Sequence, residues 1–104
     1  MIEVLQTAEF AKWLKRLKDM DTRARINVRI KRISLTGYFG DVKPVGDDVY
    51  EMRIDYGPGY RVYYSRRGNE IILLLIGGDK STQQKNIEKA KRLNAEYDQQ
   101  GDER

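Results

Sequence analysis

The chain has 104 residues, which is enough for one domain and leaves no room for a second core. Lys and Arg number 20 against 16 Asp and Glu, giving a net charge of +4, and 39% hydrophobic residues make this a folded globular domain rather than a disordered one. With no cysteine and no histidine, disulfides, thiol nucleophiles, thiolate or imidazole metal sites and histidine acid–base pairs are all excluded, so any chemistry rests on Arg, Lys, Tyr, Asp and Glu.

Met1-Ile2-Glu3-Val4-Leu5 has no basic stretch leading into a long apolar run. The longest apolar run, Ile71 to Ile76, falls far short of the ~20 residues a membrane helix needs. A cytoplasmic protein is expected.

Ile2 to Leu5 reads as a short opening strand. Thr7 then offers an N-cap oxygen to a helix with Phe10, Trp13, Leu14 and Leu17 on one face. Asp21 or Thr22 caps a second helix in which Ile26, Ile30 and Ile33 share a face and which stops near Gly37. The outer positions of this tandem pair are strongly basic, among them Lys15, Arg16, Arg23, Arg25, Arg29 and Arg32. Ala24, Val28 and Leu35 lie roughly 180° from the isoleucine stripe, so the second helix has two apolar sides. Two readings stay open: one side packs on the first helix and the other on a sheet, or the second side is an exposed groove for a partner helix.

Beyond Gly40 the period changes to two. Lys43 to Gly46 reads as a short strand and Asp47-Asp48 as a turn. Val49 to Asp55 alternates, as does Tyr60 to Arg66, with the turn Gly57-Pro58-Gly59 between them. Arg67-Gly68-Asn69 makes the next turn. Ile71 to Ile76 is a strand covered on both faces, ended by Gly77-Gly78. Ser81 and Gln84 fit a capping box opening a last helix with Ile87, Ala90, Leu93 and Tyr97, and a polar, frayed tail follows from Asp98. The result is an α+β domain over residues 1–98 with a tail over 99–104. Its antiparallel sheet has about four to five strands, an N-terminal helical hairpin and a C-terminal helix.

A hairpin centred on Gly57-Pro58-Gly59 sets Arg53 opposite Arg61 and Glu51 opposite Tyr63 on one face, with Met52 opposite Val62 and Tyr50 opposite Tyr64 on the other. Two arginines directly across a strand pair repel, so an acceptor belongs between them. Either Glu51 and Asp55 neutralise them, or a phosphate does. Lys80 lies after the central strand, beside the amides that open the last helix, where it can join Arg53 and Arg61 on one anion site. Gly77-Gly78-Asp79-Lys80-Ser81 lacks the Walker spacing and is no nucleotide-hydrolysis loop.

Three blocks in this order, Tyr50-Glu51-Met52-Arg53-Ile54, Gly59-Tyr60-Arg61-Val62-Tyr63-Tyr64 and Gly77-Gly78-Asp79-Lys80-Ser81-Thr82-Gln83, resemble the RelE/ParE superfamily of toxin-antitoxin toxins. Within it the sequence is most similar to the HigB-like branch described as addiction module killer proteins. The resemblance spans Val4 to about Asn94. It implies a RelE-like fold and a small toxin that enters the ribosomal decoding site, cuts mRNA there, and is silenced by an antitoxin, a helix-turn-helix protein encoded beside it.

Carried onto this sequence, Arg61 matches the arginine that holds the scissile phosphate, and Arg53 and Lys80 fall where such toxins keep basic residues. Where RelE has a tyrosine base this chain has Asn86, leaving Tyr63, Glu51 and Asp79 as candidates to take the proton. The chemistry needs neither metal nor cofactor, because RNA carries its own nucleophile in the 2′-hydroxyl. Arg53, Arg61 and Lys80 suit phosphate positioning and charge stabilisation, and Tyr63 suits base stacking. Lys15, Arg16, Arg23, Lys43 and Arg66 are the wider candidates for RNA binding, and Ala24, Val28 and Leu35 for antitoxin binding. Two other classes remain open: a ParE-like, non-enzymatic inhibitor of DNA gyrase, and an inactive antitoxin-binding relic.

Overall fold

The computed structural model describes residues 1–102. Strand β1 (Glu3–Gln6) leads into helices α1 (Ala8–Arg16) and α2 (Met20–Thr36). Strands β2 (Val42–Gly46), β3 (Val49–Ile54), β4 (Tyr60–Arg67) and β5 (Ile71–Asp79) follow, and α3 (Gln83–Asp102) comes last. The strands form one sheet in the order β1-β5-β4-β3-β2. β2 to β5 are the antiparallel meander that the alternating pattern predicts, while β1 joins parallel to β5 and makes the sheet mixed.

The sheet has a helix on each face. Ile26 and Ile33 of α2 are buried with Met52, Ile54, Val62, Tyr64, Ile72 and Leu74, and Phe10 of α1 completes that core. On the other face Ala90 and Leu93 of α3 are buried with Val49, Tyr63, Leu73, Leu75 and Ile76. This two-sided cover is why Ile71 to Ile76 is apolar throughout rather than alternating.

Local chemistry sets the element ends. Thr7 caps α1 as expected, its hydroxyl oxygen accepting from the Phe10 amide at 3.0 Å. Gly37 closes α2 in the left-handed conformation, φ 75°, that favours glycine. The cap of α2 is not Asp21 or Thr22 but Asp19, whose carboxylate accepts from the Asp21 amide and the Thr22 hydroxyl. An aspartate two residues earlier satisfies both groups, so the helix starts about half a turn sooner.

Two further expectations are corrected near the site. Gly77 and Gly78 do not end β5; they pair with Val62 and Arg61, and the strand runs on to Asp79. Their role is close approach. A Cβ on Gly77 would lie 2.2 Å from the Trp13 ring, and one on Gly78 would lie 2.1 Å from Asn86 Oδ1. The Ser81–Gln84 capping box also does not form. Asp79 caps a 3-10 turn over Lys80–Thr82, accepting from the Ser81 amide, and α3 starts at Gln83. At the other end α3 continues past Asp98 to Asp102, so the tail placed at 99–104 is helical as far as it is described, and residues 103 and 104 lie outside the described residues.

The second apolar side of α2 does not pack on α1, which lies mainly against β5. Ala24, Val28 and Leu35 are all exposed, Val28 by 56% and Leu35 by 55%.

Candidate active site

The hairpin register is the one the sequence predicts: Arg53 stands opposite Arg61, Glu51 opposite Tyr63, Met52 opposite Val62 and Tyr50 opposite Tyr64. A turn closed by the Gly59 amide donating to the Tyr56 carbonyl at 3.1 Å joins the strands. The Lys80 amide donates to the Gly59 carbonyl at 2.9 Å and ties the end of β5 to that turn. Arg53, Arg61 and Lys80 therefore line one hollow of about 430 Å³, walled also by Asp41, Asp55 and the Gly57–Gly59 turn.

Glu51 does not line the hollow but contacts both of its arginines. Its side chain is fully buried, because α3 covers this face of the sheet. Oε1 accepts from Arg53 Nε at 3.3 Å and has Lys43 Nζ at 3.8 Å; Oε2 accepts from Tyr63 Oη at 2.9 Å and Gln83 Nε2 at 2.8 Å, with Arg61 Nε at 3.6 Å. Burial pushes the Glu51 carboxyl pKa up, but hydrogen bonds from Gln83, Tyr63 and Arg53 and the charge of Lys43 outweigh it and hold the group below its ordinary value. It is a carboxylate at neutral pH. Of the two acceptors foreseen between the arginines, Glu51 is the one in contact.

Arg61 is the more enclosed arginine, its side chain 12% exposed against 40% for Arg53. Its Nη1 donates to the Gly59 carbonyl at 3.2 Å. Nε is buried without a hydrogen-bond partner among the described residues, since Glu51 stands beyond hydrogen-bond reach of it but within ion-pair reach.

The three candidates to take a proton are all committed elsewhere. Tyr63 is buried, donates to Glu51, and has its pKa raised by burial and by that carboxylate. With neither ring face free, it cannot stack on a base. Glu51 already accepts three hydrogen bonds. Asp79 accepts from the Ser81 hydroxyl and amide, which hold its pKa below the ordinary carboxylate range. Asn86 accepts from the Thr82 hydroxyl at 2.6 Å and lies beside Trp13 and Gly77, not in the hollow.

Of the wider basic set, Lys43 reaches Glu51 and joins the site. Lys15 and Arg16 are exposed on α1, Arg23 lies in the first turn of α2, and Arg66 sits over the Phe39 ring at 4.8 Å. None of these four lines the hollow. Sequence reasoning missed two members of the site. Gln83 was hidden by the capping box assigned to its neighbours. Arg29, read only as a helix-surface charge, donates from Nη1 to the Arg53 carbonyl at 2.6 Å and from Nη2 to the Phe39 carbonyl at 3.0 Å, bracing β3 from α2. Among the described residues no group of three or more His, Cys, Asp or Glu side chains is placed to hold a metal ion.

A RelE-like α+β fold thus carries a cationic hollow at one end of its central hairpin. Residues 12–96 match the family described as phage derived protein Gp49-like (DUF891), and the chain belongs to that family. An uncharacterized protein of Haemophilus influenzae is 49% identical over 92 residues, covering 88% of this chain and 92% of the relative. Among solved structures, a mutant of E. coli toxin RelE in the free state matches with TM-score 0.69 and 16% identity, covering 88% of this chain and 96% of that one. The intact E. coli RelBE toxin-antitoxin complex contains a chain matching with TM-score 0.64 and 15% identity, covering 76% of this chain and 96% of that one. The fold implied by the sequence blocks is the fold observed.

Proposed function

We propose that this protein is the toxin of a toxin-antitoxin pair, of the HigB-like branch, and cuts ribosome-bound mRNA in the cytoplasm as a metal-independent endoribonuclease. The observation that carries this reading is the convergence of Arg53, Arg61 and Lys80 on one hollow, with both arginines backed by the buried Glu51 carboxylate. A protein that blocked an enzyme by surface docking alone has no need of that convergence.

RNA cleavage of this kind is attack by a 2′-hydroxyl oxygen on the adjacent phosphorus, with loss of the 5′-oxygen of the next nucleotide and formation of a cyclic phosphate. Negative charge builds on the phosphoryl oxygens, and fixed cations aimed at them stabilise the transition state. The arginines offer planar forks to those oxygens and Lys80 a point charge. Tyr63, Glu51 and Asp79 are each engaged in hydrogen bonds within the protein, which fits a site whose main contribution is electrostatic. In-line geometry and proton acceptance are then completed by the ribosome that presents the strand.

The partner is a cognate antitoxin. Ala24 and Val28 of the exposed stripe line a groove of about 520 Å³ in which Arg25, Arg29 and Arg32 outnumber Asp21 and Asp55, and Leu35 extends the exposed stripe beyond it, which suits an amphipathic helix with acidic flanks. Among the described residues no helix is long and apolar enough to cross a membrane.

The test is induction of the chain in cells with and without the reading frame beside its gene, with transcript ends and DNA supercoiling followed together. Growth arrest accompanied by cut transcripts and relieved by the neighbouring product supports the reading. Arrest with intact transcripts and lost supercoiling contradicts it and favours a gyrase inhibitor.

A further inference from the structure

Glu51 receives more than charge balance requires. A carboxylate placed only to offset Arg53 and Arg61 needs nothing but proximity. Glu51 is instead buried and also accepts from two neutral donors, Tyr63 on β4 and Gln83 at the first position of α3. Neutral donors add direction without cancelling charge. Both bonds go to Oε2 and so fix the carboxylate, whose Oε1 and Oε2 face the Nε atoms of Arg53 and Arg61 respectively.

We propose that Glu51 is a positioning residue of this site: it fixes Arg53 and Arg61 by their Nε sides and leaves terminal guanidinium nitrogens to meet a phosphate, while Gln83 and Tyr63 fix Glu51. The proposal rests on reading the hollow as a phosphate site. Arg61 is held at a second point by the Gly59 carbonyl, so its guanidinium plane is set from two directions. Long side chains fixed before the substrate arrives lose no rotamer freedom during the reaction, and this is how a residue that never touches the substrate alters its rate. Gln83 makes the docked start of α3 part of the apparatus.

The test uses the whole chain and variants Glu51→Gln, Glu51→Asp and Gln83→Leu. Nitrogen-15 spectra of the arginine Nε–H groups, assigned with Arg53→Lys and Arg61→Lys, report positioning directly. In the parent the two signals stand apart from those of exposed arginines and exchange slowly with water. In Glu51→Gln they collapse toward the exposed position, and in Gln83→Leu their exchange speeds up. Cleavage of ribosome-bound mRNA falls by about 100-fold in Glu51→Gln, in line with the cost of misplacing a reacting group by an ångström. Binding of a single-stranded oligonucleotide with 2′-deoxy sugars does not weaken, because a negative charge has been removed. Glu51→Asp, which keeps the charge but not the reach, fails to restore the rate.

Unchanged Nε–H signals in both Glu51→Gln and Gln83→Leu overturn the proposal, as does full cleavage by Glu51→Gln or full rescue by Glu51→Asp. If Glu51→Gln does not fold, Gln83→Leu decides by the same signals. If the parent cuts no RNA, the ribonuclease reading fails, and the arginine signals still decide whether Glu51 positions them.

Discussion

Arg53 and Arg61 stand directly opposite each other across β3 and β4, and each turns its Nε toward one buried carboxylate, at 3.3 and 3.6 Å from Glu51. The pair that should repel is thus held by a shared anion, while both guanidinium groups also line the hollow.

Arg61→Ala removes the more enclosed cation from the hollow. Loss of one preorganised donor costs roughly 3 kcal/mol, or about 100-fold in rate. Arg61→Lys keeps the charge but not the fork and recovers only part of it. The fold survives both changes, because Glu51 keeps its bonds from Arg53, Tyr63 and Gln83. Cleavage rates beside thermal melts check this: a collapsed melting transition for Arg61→Ala would make its role structural.

The low carboxyl pKa of Glu51 sets a pH dependence of stability. Its folded value lies below the ordinary one, so the unfolded chain binds the proton more readily. Its contribution is complete above the ordinary glutamate value of about 4.3 and is lost as the pH falls through the lower folded value. Asp79 acts in the same direction at the start of the 3-10 turn. Denaturant unfolding across the acid range should show a steep acid limb in the parent and a shallower one in Glu51→Gln. Parallel curves would mean the two proteins titrate alike.

Gly77→Ala forces a methyl group into the Trp13 ring, 2.2 Å from its nearest atom. Overpacking of this kind costs about 1–3 kcal/mol, which in a domain of this size lowers the melting temperature by roughly 4–8 °C per kcal/mol. Trimming the indole in Trp13→Leu/Gly77→Ala should recover part of that loss relative to Gly77→Ala. A melting temperature equal to that of the parent would show that the ring moves aside freely.

The hairpin register was legible because side chains alternate with period two and the Gly57-Pro58-Gly59 turn fixes the centre. That alone brought Arg53, Arg61 and Glu51 together. Lys80 followed from its place after the last strand. Other features depended on contacts that local pattern does not carry. Glycines usually punctuate, yet Gly77 and Gly78 lie inside β5 because Trp13 and Asn86 press on them from distant segments. The parallel pairing of β1 with β5 joins residues nearly 70 positions apart in sequence, such as Glu3 and Ile71, and no spacing rule reveals it. Gln83 and Arg29 are ordinary helix-surface residues in sequence, and only the packing of α3 and α2 on the sheet turns them toward Glu51 and the Arg53 carbonyl.

Val28→Asp and Leu35→Asp should each leave the unfolding free energy within about 0.5 kcal/mol of the parent's, as surface substitutions do, since both side chains are more than half exposed. Titration of the product of the neighbouring reading frame onto the double variant should then show lost binding, with toxicity kept. Intact binding would place the partner on another face.

The central claim is that Arg53, Arg61 and Lys80 form a metal-free phosphate site for RNA cleavage. The most direct measurement maps the ends of a ribosome-bound mRNA treated with the parent, or with the triple alanine variant at these positions, in excess chelator. Cuts by the parent that leave a cyclic or 3′-phosphate, absent with the folded triple variant, are the predicted result. Cutting by the triple variant at the parent's rate, or 3′-hydroxyl ends lost with chelator, would contradict it.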